Sequence, residues 1–256
     1  MQSGKLCARC GDSLDAPFME LSLSSGLCRA CRMAPPPFER AVAYGPYQER
    51  MKEAIHALKY DRLHAAARRL GRMLAEAIAQ LADEAPDEML VIPVPLHRSK
   101  HTERGFNQAR SLAFHALNAL RKTHPAWRLT LAPSTLMRLR ATESQAGLNP
   151  RQRRINVRGA FTVSDPAAVQ MKDILLVDDI FTTGATARAA AQALLRAGAA
   201  SVWVATLARA GSPRENRRKS SIRFNDAEEI SEIAGDEPVA SLQGTLQLSS
   251  HDQPSF

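Results

Sequence analysis

A chain of 256 residues, 45% of them hydrophobic, can bury a complete α/β core and still carry one small additional module. Its formal net charge of +8 favours polyanionic partners, either phosphorylated metabolites or nucleic acid. No apolar run is long enough to span a membrane, and the first residues lack the apolar segment of a secretory signal. We therefore expect a cytoplasmic protein without membrane insertion.

The first notable feature is a set of four cysteines within the first 31 residues. They form two C-x-x-C pairs, which is the spacing of a zinc ribbon, and four thiolates can close a tetrahedral Zn²⁺ site. Disulfide bonds are the alternative, but a chain without a secretory signal meets a reducing compartment. Because four thiolates leave no open coordination position, we predict a structural Zn²⁺ in a zinc-ribbon-like module over residues 1–34. Its ligands would be Cys7, Cys10, Cys28 and Cys31.

A proline-rich linker ends the module, and an α/β domain is predicted over residues 38–211. Periodic apolar positions indicate amphipathic helices, whereas continuous apolar runs indicate buried strands. The elements expected along the first half of this domain are an edge strand or hairpin arm at 40–47, helices at 51–60 and 63–81, and a buried strand at 89–95.

A dense group of basic residues follows the strand at 89–95, and we interpret it as a loop. A solvated surface loop explains most isolated runs of charge. This run, however, lies between a strand and a helix that ends near Leu120, and such loops gather at one edge of a doubly wound sheet. The sequence therefore predicts an anion-binding loop that contains His97, Arg98, Lys100, His101 and Arg104.

The segment 138–158 is polar, basic and without clear periodicity. It predicts a long loop with a short helix near 150–154. Loops of this length often act as lids over binding sites, and we expect this one to do so.

The segment 174–186, with the sequence ILLVDDIFTTGAT, carries the strongest functional signal in the chain. Its apolar run without alternation predicts a parallel strand that is covered on both faces and ends at Asp178. A Thr- and Gly-rich loop then leads into a helix expected from about Thr186 to Ala197. Free N–H groups and hydroxyls at such a turn suit a phosphate, and glycine lets the backbone approach it closely.

Two carboxylates beside this phosphate-binding loop need a separate explanation. Asp178 and Asp179 would repel a phosphate, but they suit the two hydroxyls of a vicinal diol. Acids at strand ends and Thr/Gly-rich loops are each common by themselves, whereas their ordered combination is rare. A phosphate next to a diol describes a ribose 5-phosphate, and we expect the acid pair to face solvent at the end of its strand.

The chain is expected to end in a strand and a tail. The strand is predicted at 201–207. Residues 212–256 are polar and weakly patterned, so we predict a disordered tail there. Within it, only 242–248 alternates enough to suggest a strand.

In this order the motifs resemble the competence protein F (ComF) family, a branch of the type I phosphoribosyltransferases, from Cys7 to about Ala210. The most specific motifs are the two C-x-x-C pairs and the sequences PVPLHR at 93–98, RGFNQ at 104–108, QAGL at 145–148 with Arg154 and Asn156, and DDIFTTG at 178–184. The resemblance implies an α/β fold of the type I phosphoribosyltransferase kind. Its doubly wound, mainly parallel sheet would be flanked by helices and preceded by the zinc-ribbon-like module.

The resemblance also implies a site for phosphoribosyl pyrophosphate (PRPP) with Mg²⁺. The PRPP-binding residues would be Leu96, His97, Asp178, Asp179, Thr182, Thr183, Gly184, Ala185 and Thr186. The turn at 93–97 resembles the pyrophosphate loop, and 138–158 resembles the mobile catalytic loop. The positive side chains that would neutralise the departing pyrophosphate are Arg98, Lys100, Arg104, Arg138, Arg140 and Arg154.

The function implied is that of a phosphoribosyltransferase, a pentosyltransferase of the glycosyltransferase class that passes the phosphoribosyl group to an acceptor or to water. The family name adds a link to DNA uptake and competence, with single-stranded DNA or a DNA-uptake helicase as partner. The alternative is a non-catalytic regulatory or DNA-processing accessory protein of the same fold. Aromatic residues make up only 5% of the chain, so platforms for base stacking are sparse. No segment indicates the acceptor.

Overall fold

The structure is a computed structural model that describes residues 6–14, 26–60, 64–140, 152, 155 and 157–211. The expected tail, including its strand, lies outside the described residues, and so do Arg154, Asn156 and the motif at 145–148. No helix in the described part of the chain is both long and apolar enough to cross a membrane.

The described residues form both helices and strands. The helices are α1 (Arg29–Met33), α2 (Glu49–Tyr60), α3 (His64–Ala79), α4 (Arg98–Arg104), α5 (Gln108–Thr123) and α6 (Ala185–Arg196). The strands are β1 (Ala41–Pro46), β2 (Glu88–Pro93), β3 (Arg128–Leu131), β4 (Leu136–Arg138), β5 (Phe161–Val163), β6 (Asp173–Phe181) and β7 (Ser201–Arg209).

Five of the strands form one sheet in the order β1-β7-β6-β2-β3, and every neighbouring pair in it is parallel. This confirms the predicted doubly wound, mainly parallel α/β fold. The strand expected at 40–47 is β1, which lies at the sheet edge and pairs with β7. Strands β4 and β5 form a separate antiparallel pair.

The central strand β6 is covered on both faces, as its unbroken apolar run predicts. Ile174 and Leu176 belong to the apolar cluster that contains α6, whereas Leu175 and Val177 belong to the cluster that contains α3 and α5. All four side chains are completely buried. Because successive strand residues point to opposite faces, a strand covered on both sides needs an apolar residue at each position.

The acid pair lies inside β6 rather than after it, so the expected strand end was wrong. Strand β6 continues to Phe181, and Asp178 pairs in register with Thr206 of β7. The neighbouring strand β7 also continues, to Arg209, and supplies the ladder that keeps the acidic residues extended. An apolar run therefore underestimates strand length when a neighbouring strand extends the pairing.

The basic segment after β2 is a helix, α4, and not the loop that the sequence suggested. His97 caps its start by accepting a hydrogen bond at Nδ1 from the backbone N–H of Ser99, at 3.3 Å. Gly105 ends it in the left-handed conformation, with φ 76°, and its N–H donates to the carbonyl of His101 at 2.8 Å. Both capping residues were visible in the sequence, but the charge run obscured them.

The segment expected to be a lid begins on a strand. Arg138 is the last residue of β4, which pairs antiparallel with β5. The described residues Gln152, Ile155 and Val157 are helical, near the short helix expected at 150–154. Helix α1 and strands β3 to β5 were not predicted, because each is five residues or shorter and carries little periodicity.

Candidate functional site

The site is positioned by the order of the strands. Strands β2 and β6 are neighbours, but the chain continues from β2 towards β3 on one side and from β6 towards β7 on the other. The carboxyl ends of β2 and β6 therefore border a topological switch point, which is where doubly wound sheets bind ligands.

The turn after β6 has the geometry of an anion-binding turn. Gly184 adopts a left-handed conformation, φ 72° and ψ 10°, and α6 begins directly after it without a side-chain cap from the described residues. A Cβ atom at Gly184 would lie 2.6 Å from Cζ of Phe181, so a larger residue would be strained and crowded. A glycine turn of this shape that leads into the positive end of a helix suits an anion.

The hydroxyl of Thr183 adds a second sign of a ligand at this turn. Its Oγ1 atom is buried and has no hydrogen-bond partner among the residues that the structure describes. A buried polar group without a partner costs about 1–3 kcal/mol. A ligand oxygen placed at this turn would satisfy the hydroxyl and remove that cost.

The two carboxylates next to the turn differ in exposure. Asp178 is half-buried, and its Oδ1 accepts a hydrogen bond from the backbone N–H of Asp179 at 2.9 Å. Asp179 is only 6% exposed, so the expectation that the pair faces solvent is wrong for this residue. Its Oδ2 lies 3.5 Å from Nε2 of Gln108, which is itself buried. The acid pair is therefore held by the protein and not left mobile in solvent.

Asn107 explains why Gln108 reaches the acid pair. The side-chain oxygen of Asn107 caps α5 by accepting from the N–H groups of Ala109 and Arg110, at 2.9 and 3.3 Å. Its Nδ2 donates to the carbonyl of Val94, just after β2, at 3.0 Å. These bonds fasten the start of α5 to the end of β2. The preference of asparagine for helix N-caps could have identified its role from the sequence.

Arg138 is a predicted site cation that interacts electrostatically with Asp178. Burial lowers the pKa of its guanidinium group, and the Asp178 carboxylate raises that pKa in opposition. The guanidinium carbon also lies 5.5 Å from the centre of the Phe161 ring, so the side chain is held from β5 as well. The antiparallel pair of β4 and β5 thus places a positive charge close enough to Asp178 for the two groups to interact electrostatically.

The four cysteines form a second, separate cluster. All four thiols are buried, and their sulfur atoms lie within 4.8 Å of one another. Cys7 Sγ accepts a hydrogen bond from the backbone N–H of Cys28 at 3.2 Å, and Cys10 Sγ lies 3.7 Å from Cys28 Sγ. Four converging thiols suit a closed tetrahedral metal site in which every ligand is sulfur, and the cluster can hold an ion such as zinc.

The thiols of the cluster are electrostatically coupled. Hydrogen bonds from Cys10 and then Cys31 lower the pKa of Cys28 to about 6. Hydrogen bonding with Cys10 likewise lowers the pKa of Cys7. Cys28 in turn raises the pKa of Cys10, which the charge of Arg209 opposes. Hydrogen bonding with Cys10 also raises the pKa of Cys31, so two thiols of the cluster favour the thiolate form and two favour the thiol form.

Comparison with known proteins identifies the family. Residues 130–241 match the phosphoribosyl transferase domain. The chain is 34% identical over 213 residues to DNA utilization protein YhgH of Salmonella typhi, covering 81% of this chain and 86% of that protein. It is 35% identical over 208 residues to YhgH of Escherichia coli K12, covering 80% and 84%. Competence protein F of Haemophilus influenzae is 27% identical over 213 residues, covering 82% and 87%.

The chain belongs to the ComF family. The phosphoribosyl transferase match places this chain in the type I phosphoribosyltransferase superfamily, in agreement with its parallel sheet and its motifs. The resemblance noted from the sequence is confirmed.

The other residues predicted for the ComF site occupy varied positions. Arg98 is exposed on α4, while Lys100 and Arg104 of the same helix are half-buried. Leu96 and His97 lie between β2 and α4, where His97 caps the helix. Among the described contacts, none joins Arg98 or Lys100 to the acid pair, so their catalytic role stays a prediction.

Two further arginines were expected in the ComF lid. Arg140 is exposed, and its Nη2 donates to the carbonyl of Arg158 at 2.9 Å, which joins the two ends of the segment. Arg154 lies outside the described residues. In this structure Arg140 thus holds the backbone at Arg158.

Proposed function

We propose that this ComF protein binds the phosphoribosyl group of PRPP with Mg²⁺ at the carboxyl ends of β2 and β6, and transfers it to an acceptor or to water. The observation that carries the proposal is the arrangement around the switch point. In the part of the chain that the structure describes, the acid pair is followed by a helix N-terminus without a side-chain cap and by a buried threonine hydroxyl without a hydrogen-bond partner. One half of the arrangement suits a diol and the other half suits a phosphate.

The binding step assigns a role to each part of this arrangement. Asp178 and Asp179 would accept hydrogen bonds from the 2- and 3-hydroxyls of the ribose. The N–H groups at Ala185 and Thr186, with the hydroxyls of Thr182 and Thr183, would donate to the 5-phosphate. Gln108 would keep Asp179 oriented towards the sugar, because its amide lies against that carboxylate.

The transfer step requires stabilisation of a leaving group. The bond between C1 of the ribose and the pyrophosphate oxygen breaks, and the pyrophosphate departs with the electron pair. A nucleophilic atom of the acceptor, or of water, then bonds to C1 and loses its proton. Mg²⁺ bound to the pyrophosphate would offset part of its charge. Arg138 would add a positive charge from β4, and Arg98, Lys100, Arg104 and Arg154 are the further candidates.

We also propose that the cysteine cluster holds one structural Zn²⁺. The described part of its module, residues 6–14 and 26–33, contains few large apolar side chains. Such a module gains most of its folding free energy from the metal. The zinc would have no part in the transfer step, since four thiolates leave no open position for a substrate.

A second candidate function is the handling of single-stranded DNA or of a DNA-uptake helicase. Relatives of the chain carry the names DNA utilization protein and competence protein F. Arg98 of α4 and Arg110 of α5 are exposed, which offers positive charge to a phosphate backbone. A steep decrease in DNA affinity with salt would support this function, whereas a flat dependence would exclude phosphate contacts.

The primary proposal is tested by calorimetry on the zinc-loaded full chain. PRPP should bind with Mg²⁺ and much more weakly without it. Ribose 5-phosphate should bind more tightly than 2-deoxyribose 5-phosphate, which lacks the vicinal diol. Absence of binding to both PRPP and ribose 5-phosphate would contradict the proposal. Binding of PRPP without consumption in water or with any amine or nucleobase would favour the regulatory alternative.

A further inference from the structure

Arg209 connects the cysteine cluster to the sheet. It is the last residue of β7, and its side chain is only 15% exposed. Its Nη1 donates to the carbonyl of Cys10, and its Nη2 lies 3.6 Å from Cys10 Sγ and 3.3 Å from Oδ1 of Asp12. A side chain of the sheet is thus fixed by one of the cysteine pairs and by the residue two positions after it.

The same guanidinium group lies against the aromatic ring of Phe181. The distance from its carbon to the ring centre is 4.7 Å, a cation–π contact shielded from solvent. Phe181 and Arg209 are also register partners in β6 and β7, and the N–H of Ala210 donates to the carbonyl of Phe181 at 2.9 Å. A second aromatic contact reaches Phe181 from the linker, where the ring of Phe38 lies edge-on at 6.1 Å.

Phe181 in turn supports the phosphate-binding turn. Its ring fills the space beside Gly184, where an added Cβ atom would lie 2.6 Å from Cζ. Phe181 is 6% exposed, so the ring has little freedom to move without moving its neighbours. A continuous set of contacts therefore runs from Cys10 and Asp12 through Arg209 and Phe181 to the turn at Gly184.

We propose that Arg209 is a positioning residue that couples the folded cysteine module to the phosphate-binding turn. Loss of the module would remove the carbonyl of Cys10 and the carboxylate of Asp12, and would leave a buried guanidinium group without its acceptors. The Arg209 side chain would then reorient, and the Phe181 ring and the turn would lose a fixed neighbour. Metal binding and ribose phosphate binding would consequently be linked, and this linkage rests on the proposed function.

Linkage of this kind is reciprocal. If the metal-loaded module strengthens PRPP binding by a given factor, PRPP must strengthen metal binding by the same factor. We expect a factor of about tenfold, within the range typical of coupled sites. Zinc affinity, measured by competition with a chelator in the presence and absence of PRPP and Mg²⁺, should therefore shift in the wild type.

The variant Arg209→Met tests the coupling, because methionine keeps an apolar stem but removes the donors and the charge. The zinc-loaded full chain should bind PRPP about tenfold more weakly, and the PRPP-induced shift in zinc affinity should disappear. The matched control is Arg9→Met, since Arg9 lies in the same cysteine pair but contacts Phe38 and Glu39 instead of Phe181. It should change both quantities by no more than about twofold.

Amide hydrogen exchange keeps the coupling testable apart from ligand binding. In Arg209→Met the amides of Arg188 and Ala210, which donate to the carbonyls of Gly184 and Phe181, should exchange about tenfold faster while those of α5 stay unchanged. Asp12→Asn serves if Arg209→Met does not fold, and it should give a smaller effect in the same direction. Unchanged exchange at these two amides, or equal effects of the Arg9 and Arg209 variants, would overturn the coupling. Absence of PRPP binding to the wild type would instead contradict the proposed function, and the exchange result would still decide the coupling.

Discussion

The cysteine module and the switch-point site bring their functional residues together by different means. The cysteines are close in sequence, so two short C-x-x-C turns suffice to make the sulfur atoms converge. The residues of the switch-point site are far apart in sequence; Gln108 and Asp179, for example, are separated by 71 positions. These residues come together because the helices and strands that carry them pack in one parallel α/β sheet.

This difference predicts how substitutions should affect the folding and the binding of each region. The module has little apolar core of its own among the described residues, so removal of a metal ligand should unfold it. The switch-point site rests on a sheet whose central strand is completely buried over residues 174–177, so changes at the polar residues of the site should alter binding and leave the fold intact. The predictions below test this contrast.

The largest effect is expected for Cys28→Ser. Three remaining thiols cannot complete the tetrahedral site, and structural zinc contributes of the order of 10 kcal/mol to the folding of small modules. Elemental analysis should find no zinc, and residues 6–14 should become protease-sensitive while the sheet keeps its circular dichroism. Met33→Ser is the control, because Met33 ends the same helix, α1, but is 78% exposed. A Cys28→Ser protein that retains one zinc per chain would contradict the predicted dependence of the module on its four cysteine ligands.

A large effect on catalysis is expected for Arg138→Ala. The charge of Arg138 should matter more as pyrophosphate departs than in the ground state, so PRPP hydrolysis should decrease about 100-fold. The affinity for PRPP should decrease much less. Single-turnover kinetics and calorimetry on the same preparation measure the two quantities, and equal losses in both would show that Arg138 only helps to hold the ligand.

An intermediate effect is expected for Gln108→Leu. Leucine can fill the buried position but cannot donate to Asp179, so the carboxylate should lose its orientation. Affinity for ribose 5-phosphate should decrease about tenfold, the value of a hydrogen bond to a charged group. The unfolding midpoint in urea should stay near that of the wild type. If the Gln108→Leu variant binds ribose 5-phosphate with normal affinity, Gln108 does not contribute to the site. If the variant is unfolded, substitutions at the switch-point site also affect the fold, and the predicted difference between the two regions is wrong.

The smallest effect is expected for Arg140→Ala. Arg140 is exposed and donates to the carbonyl of Arg158. Because exposed substitutions usually change little, turnover and affinity should remain within about twofold of the wild type. A loss as large as that of Arg138→Ala would show that the lid brings Arg140 to the substrate during the reaction.

The sequence predicts the two regions to different extents, for physical reasons. Cysteine spacing specifies a metal site locally, so the clustering of the four thiols was predictable without knowledge of the rest of the chain. The buried run at 174–177 likewise predicts a covered parallel strand, because its pattern depends only on burial at both faces. Strand order and the length of β6 depend on partners far away in sequence, which composition and periodicity do not contain.

The contacts that organise the switch-point site were the least predictable. The role of Asn107 follows from a local capping preference, but the approach of Gln108 to Asp179 depends on how α5 packs against the sheet. The contact between Cys10 and Arg209, which connects the cysteine cluster to Phe181, joins positions 199 residues apart. No local pattern encodes such a contact. The helix α4 is a different case. Its run of basic residues was interpreted as a loop, although the local caps at His97 and Gly105 favour a helix.

The central claim is that the acid pair recognises a ribose diol, and one thermodynamic cycle tests it most directly. Ribose 5-phosphate and 2-deoxyribose 5-phosphate are titrated calorimetrically into the wild type, Asp178→Asn/Asp179→Asn and Asp173→Asn. Asp173 is the matched control, since it lies at the opposite end of β6 and accepts a hydrogen bond from Ser201 at 2.6 Å. The wild type and the control should prefer the ribose ligand by about tenfold or more, the value of hydrogen bonds to charged acceptors. The double variant should bind the two ligands equally. Retention of the full preference by the double variant would contradict the account.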